Sequence, residues 1–133
     1  MHRSFLLAGA IFGMLGVALG AFGAHGLQKI TADESIIHGF QTGVQYQIYH
    51  ALALIAVDFL YDKWPRKIVK WTGICFIIGV ILFSGSLYLL TYFKLQDSDM
   101  VKIAGPITPV GGLFFIAGWM LFALSALNRR SQR

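Results

Sequence analysis

The chain has 133 residues, of which 56% are hydrophobic and 13% are charged, whereas soluble domains carry about 25% charged residues. Its net charge is +5, but the basic residues lie between and beyond apolar runs, so membrane topology explains them better than nucleic-acid binding. The composition predicts one all-α integral membrane domain, residues 1–133.

The first predicted span, residues 4–24, has 21 residues and no charge, which matches the ~20 residues needed to cross a bilayer. Glycines recur in it at spacings of four and three, and so form one stripe along a helix. A glycine stripe lets another membrane helix approach closely. We expect packing within the chain's own bundle, with homo-oligomer formation as the alternative, through Gly9, Gly13, Gly16, Gly20 and Gly23.

The second predicted span, residues 40–61, is the most polar. At about 100° per residue, one half of its circumference gathers His38, Gln41, Thr42, Gln45, Tyr46, Tyr49 and His50. The opposite arc holds Phe40, Val44, Ile48, Ala51 and Ile55. Because polar groups left in hydrocarbon are costly, we expect the polar arc to face protein or water and the apolar arc to face lipid.

Asp58 falls on the apolar arc of this helix, one turn from Asp62 and close to Lys63 and Arg66. We therefore expect its carboxylate to reach the membrane interface, where it would anchor the helix or form a salt bridge.

The third predicted span, residues 71–93, contains no charged residue and has Ser84, Tyr88 and Thr91 on one face. The fourth, residues 103–127, is also uncharged, but it includes Pro106 and Pro109 near its start. Prolines interrupt helical hydrogen bonding, so this helix is predicted to be kinked or broken near Pro106 and Pro109. The four spans together predict a four-helix bundle.

The orientation follows from the basic residues. Four spans place both termini and the connector at residues 62–70 on one side, with eight Lys and Arg, against three on the other side. By the positive-inside rule both termini are cytoplasmic. The polar parts of the spans then fall in their outer halves, where we expect an outward-opening polar network or ligand site formed by His25, His38, Gln41, Gln45, Tyr49, His50, Ser84, Tyr88 and Thr108.

Four blocks of sequence carry a family resemblance: GAFGAHGL at residues 20–27, YHALAL at 49–54, FSGSLY at 83–88 and ITPVGG at 107–112. In these the chain resembles the YgdD/YwdK-like family of small uncharacterised membrane proteins. The resemblance implies a four-span membrane protein. It implies no activity, so no functional residues are carried over.

The sequence offers little for metal binding or catalysis. His38 and His50 lie about 18 Å apart along one helix, too far to share an ion, so only His25 with one of them is geometrically open; we predict no metal and no cofactor. Ser84 or Ser86 beside His50 lacks an acidic third member. We therefore predict that the protein is not an enzyme.

These observations predict a multi-pass protein of the plasma membrane, the inner membrane in bacteria. The leading hypothesis is a packing or accessory bundle that binds a membrane lipid or a partner subunit, including within a larger membrane complex. The alternative is an oligomeric channel or transporter for a small solute or proton, which would use the His, Gln and Tyr face of the second span.

Overall fold

The computed structural model describes residues 3–130, with side chains for residues 3–128. Helices dominate this part of the chain and no strand occurs in it, which confirms the all-α prediction. The helices are α1 (Ser4–Ile30, π-helical at Phe22–Gly26), α2 (Glu34–Lys63), α3 (Lys67–Leu95, π-helical at Val80–Ser84) and α4 (Val101–Ala104, then Ile107–Arg130).

The break predicted in the fourth helix is confirmed. The helix ends at Ala104 and resumes at Ile107, with Gly105 and Pro106 between. Proline has no N–H to donate and its ring clashes with the preceding turn. Pro109 is the third residue of the resumed helix, where backbone N–H groups have no intrahelical partner in any case.

Three of the helices, α1, α3 and α4, are long and apolar enough to cross a membrane. The 30 residues of α2 are also long enough, but Gln41, Gln45 and Gln47 lower the hydropathy of its outer half. We call the end of the helices at residues 31–33 the outer end and the end at residues 64–66 the inner end, following the predicted orientation.

The glycine stripe of α1 packs against α2 within the chain. A Cβ built on Gly9 would lie 2.7 Å from the carbonyl oxygen of Ala51, and one on Gly16 would lie 2.8 Å from Cγ1 of Ile48. Gly20 and Gly23 meet α2 in the same way, whereas Gly13 has nothing within 4 Å. Four of the five glycines therefore allow two helix backbones to approach along their length.

Helices α3 and α4 pack through glycines that receive aromatic rings from the facing helix. Gly79 of α3 faces the ring of Phe115, and Gly118 of α4 faces the ring of Phe76 at 2.7 Å from its Cβ position. Gly111 of α4 lies against the backbone of Phe83, in the π-helical segment of α3. The rings of Phe76 and Phe115 belong to the main hydrophobic core.

The expectation for Asp58 is wrong. Its side chain is buried, only 7% exposed, and its Oδ1 accepts a hydrogen bond from the backbone N–H of Leu6 at 3.1 Å. N–H groups in the first turn of a helix lack intrahelical partners, and a carboxylate is favoured at that positive end. Asp58 thus caps α1 from the inner end of α2 instead of reaching towards the membrane surface.

The outer loop is short, because α1 continues through His25 to Ile30. Asp33 caps α2: its carboxylate accepts hydrogen bonds from the hydroxyl and the backbone N–H of Ser35, at 2.8 and 2.9 Å. These bonds favour the charged form and lower the pKa of Asp33 below its usual value. A three-residue connection holds α1 and α2 antiparallel.

The glycine packing predicts opposite effects for two similar substitutions. Gly9→Ala should lower the free energy of unfolding by about 1–3 kcal/mol, because its methyl group meets the backbone of α2. Gly13→Ala faces open space and should leave stability unchanged or raise it, since alanine favours helix. Thermal unfolding in detergent measures both, and equal shifts would contradict the assigned packing.

Candidate functional site

A buried amide links three helices near the middle of the molecule. Gln47 of α2 is 3% exposed. Its Nε2 donates to the carbonyl oxygen of Phe12 on α1 at 2.8 Å, and its Oε1 accepts from the hydroxyl of Tyr88 on α3 at 2.6 Å. Gly16 lies beside the amide, and a Cβ there would be in ordinary van der Waals contact with Nε2, at 3.7 Å.

His50 lies on the same helix and is also buried, at 3% exposure. Its Nδ1 lies 2.7 Å from the carbonyl oxygen of Tyr46, and its Nε2 lies 3.0 Å from the indole Nε1 of Trp119 on α4. A carbonyl only accepts and an indole N–H only donates, so both bonds require the neutral Nδ1–H tautomer. The imidazole stacks on the ring of Phe115, with centroids 3.6 Å apart.

Each nitrogen of His50 thus already has a partner. Metal ligation needs a free lone pair on an imidazole nitrogen, and proton transfer through this ring would need one of the two bonds to break. The arrangement fixes the position of α4 against α2. It favours a structural role for His50.

Two serines of α3 extend the polar contacts. Ser84, in the π-helical segment, donates to the carbonyl oxygen of Gly43 on α2 at 2.6 Å. Ser86 bonds the hydroxyl of Thr108 on α4. We call these contacts, with those of Gln47, Tyr88 and His50, the internal polar network. Within the described residues, no buried side-chain nitrogen or oxygen lacks a hydrogen-bond partner.

The predicted site residues do not all enter this network. The structure brings His50, Ser84, Tyr88 and Thr108 into it. It leaves His25, His38, Gln41, Gln45 and Tyr49 on the surface, and no hydrogen bond within the described part of the chain engages their side chains. The nine residues therefore do not form one hydrogen-bonded network within the described part of the chain.

The error lies in which face of α2 turns inward. The arc assigned to lipid is buried, including Phe40, Val44 and Ala51, whereas most of the arc assigned to the interior is exposed. The apolar arc fits the glycine stripe of α1 and buries more hydrocarbon. Gln47 lies on that buried arc, and its amide among apolar neighbours was the sequence signal that could have identified it.

The exposed residues form a continuous stripe on α2. His38, Gln41, Gln45 and Tyr49 follow one another at spacings of three or four residues, so they share one side of the helix. Tyr49 is 55% exposed. We call these four residues the α2 polar stripe. The helix thus turns donors and acceptors away from its own bundle.

An open crevice lies at the outer end of the stripe. It has a volume of about 570 Å³ and is lined by Gln28, Thr31, Ala32, Glu34, Ile37, His38 and Gln41. His38 and Gln41 belong to both the crevice and the stripe. Among the described residues no group of three or more His, Cys, Asp and Glu side chains could hold a metal ion.

The sequence comparisons identify relatives along almost the whole chain. Residues 19–112 match the family model described as protein of unknown function (DUF423). The chain is 43% identical to the UPF0382 membrane protein YwdK of Bacillus subtilis, over 95% of this chain and 98% of that protein. It is 38% identical to the UPF0382 inner membrane protein YgdD of Escherichia coli, over 95% of this chain and 91% of the relative.

A third relative is also similar along most of the chain. The UPF0382 membrane protein C1782.12c of Schizosaccharomyces pombe is 40% identical, over 83% of this chain and 90% of that protein. No solved structure matches the chain significantly. The names of these relatives give a membrane location and no activity.

The internal polar network predicts a specific sensitivity at Gln47. Gln47→Leu leaves the hydroxyl of Tyr88 without its acceptor and should lower the free energy of unfolding by about 1–2 kcal/mol. Gln45→Leu, on the exposed face of the same helix, is the matched control and should not lower it. Denaturant unfolding in detergent gives both values.

A third variant tests the mechanism of this loss. Adding Tyr88→Phe to Gln47→Leu removes the unpaired hydroxyl and should recover part of the stability. Equal effects of Gln47→Leu and Gln45→Leu would contradict the assigned bonds.

Proposed function

Because the chain belongs to the DUF423 family, whose relatives are named as membrane proteins, we propose that it spans the plasma membrane four times with both termini in the cytoplasm. Three helices have the length and hydropathy of spans. We propose α2 as the fourth span. Its support is the pairing of α2 with α1 from Gly23 and Phe40 near the outer end to Leu6 and Asp58 near the inner end.

This pairing argues that α2 crosses the same depth as α1. Helix α1 has 27 residues, about 40 Å at 1.5 Å per residue, and α2 accompanies it antiparallel for nearly that length. The buried arc of α2 is mostly apolar, and it packs against α1 and α3. The polarity of α2 is then concentrated on one outward side, in the α2 polar stripe.

Within this topology the protein acts as an accessory subunit that assembles through the α2 polar stripe. The observation that carries this proposal is the exposure of Gln45 and Tyr49 on a helix at membrane depth. Hydrocarbon offers these groups no partner. A carboxamide both donates and accepts, so the same stripe on a second copy satisfies it across a twofold axis.

The internal polar network supports an accessory role over transport by one chain. Each buried side-chain nitrogen and oxygen of the described residues has a hydrogen-bond partner, and the ring of His50 is enclosed by Phe76, Phe115 and Trp119. These contacts hold helices in register. They leave no unpaired polar group that would bind a passing solute.

A second candidate function uses the same surface. The α2 polar stripe runs into the crevice of about 570 Å³ at the outer end. If two copies faced each other through their stripes, the polar residues between them would form a continuous seam that connects the two crevices. That seam would be the path of an oligomeric channel or transporter for a small solute or proton. The continuity of stripe and crevice favours this alternative.

Cysteine labelling tests the topology. With Cys75 replaced by Ser, a single Asp99→Cys in the connector before α4 should react with an impermeant maleimide added to intact cells. Lys67→Cys, at the inner end of α3, should react only after lysis. Both positions are exposed. Labelling of both in intact cells would contradict the proposed orientation.

Mass measurement in lipid nanodiscs tests assembly. The wild-type protein should be a dimer or larger, and Gln41→Leu with Gln45→Leu should lower the association constant about tenfold, since it removes interhelical hydrogen bonds. Gln96→Leu, an exposed glutamine outside the helices, should not change it. A wild-type monomer at all protein concentrations would overturn both candidate functions.

Proton flux into liposomes then separates the two functions. An oligomer without flux supports the accessory role. Flux that is lost in the Gln41→Leu and Gln45→Leu variant supports the channel.

A further inference from the structure

An apolar groove lies at the inner ends of α2 and α4, far from the α2 polar stripe. Its volume is about 390 Å³, and its lining is Leu60, Trp119, Phe122, Ala123, Ser125 and Ala126. From Trp119 to Ala126 the groove follows α4 for about 10 Å, or roughly two thirds of the ~15 Å of hydrocarbon in one leaflet. This shape and lining suit a hydrocarbon chain.

A fixed guanidinium group stands at the end of this groove. Nη2 of Arg66 donates to the carbonyl oxygen of Ser125 at 3.0 Å, and Ser125 is itself part of the lining. Arg66 is half-buried, so its side chain is held in place by protein. A guanidinium has five N–H donors, which leaves most of them for a second acceptor.

The charge around Arg66 is strongly positive. Lys63 ends α2, Lys67 and Lys70 lie in the first turn of α3, and all three are exposed; Asp62 is the acidic residue in this stretch. The other nearby carboxylate, Asp58, is turned towards the N–H of Leu6. Arginine binds phosphate through paired N–H donors, and basic pockets between helices on the cytoplasmic side bind anionic lipid headgroups.

We propose that this groove binds one acyl chain of an anionic phospholipid whose phosphate is held by Arg66. The guanidinium supplies paired donors for the phosphate oxygens, and the neighbouring lysines favour a net negative headgroup. The groove supplies the hydrophobic part of the affinity. The proposal rests on the membrane location of the chain and is independent of assembly through the α2 polar stripe, which lies at the other end of α2.

Native mass spectrometry of the detergent-solubilised full chain tests the site, with phosphatidylglycerol and phosphatidylcholine of identical acyl chains as probes. Phosphatidylglycerol should bind at least tenfold more tightly. Arg66→Gln should remove most of that preference, whereas Lys102→Gln, an exposed cation near the start of α4, should preserve it. Equal binding of the two lipids would mean ordinary annular lipid and would overturn the proposal.

A second variant keeps the test valid if Arg66→Gln destabilises the fold. Ala126→Phe places a ring in the groove and leaves Arg66 in position, so it should also weaken binding of phosphatidylglycerol about tenfold. Unchanged binding would contradict the acyl-chain site. Inorganic phosphate is the last probe: protection against thermal unfolding equal to that by the lipid would indicate an ion site without an acyl groove, and would also overturn the proposal.

Discussion

The arrangement of the helices depends on one requirement, that a polar side chain buried at membrane depth must find its hydrogen bonds inside the protein. Gln47 meets this requirement with one bond to α1 and one from α3. Both bonds need close backbones, and Gly9 and Gly16 allow α1 to approach α2. The glycine packing and the amide therefore support each other, since neither is favourable without the approach of α1 to α2.

The same requirement divides α2 into two unlike sides. Its buried side is mostly apolar, with Gln47 and His50 fully bonded, while its outward side carries four residues with unused donors and acceptors. Packing alone would favour aliphatic residues on that side of the helix. This difference between the two sides is the strongest functional signal in the molecule, and it connects the fold to the proposed assembly.

Much of the fold could be predicted from the sequence. Long, mostly apolar stretches located the helices, and Pro106 marked the break in α4, because both signals are local properties of the chain. Which side of α2 is buried is not a local property of the chain. It depends on which of its arcs complements the glycines of α1, and a count of polar residues by helical angle contains no information about that partner. Asp58 was misplaced for the same reason, since it lies on the arc with Phe40 and Ala51.

The candidate site, like the fold, could be predicted only where the signal is local. His50, Ser84, Tyr88 and Thr108 join the internal polar network, but the sequence does not indicate their partners. Ser84 donates to the main-chain carbonyl oxygen of Gly43, which has no distinctive sequence pattern, and the other three bond side chains on neighbouring helices, those of Trp119, Gln47 and Ser86. A sequence shows which groups need partners and seldom which groups will provide them.

The position of α3 has a consequence for how the molecule comes together. Helices α1 and α2 form one hairpin and α3 and α4 form another, each fastened by glycines along its length. Three hydrogen bonds connect the two hairpins: Ser84 and Tyr88 of α3 donate to α2, and Trp119 of α4 donates to His50 of α2. Within each hairpin the helices are thus held by close glycine packing, whereas the two hairpins are joined to each other by polar bonds as well as by apolar contacts.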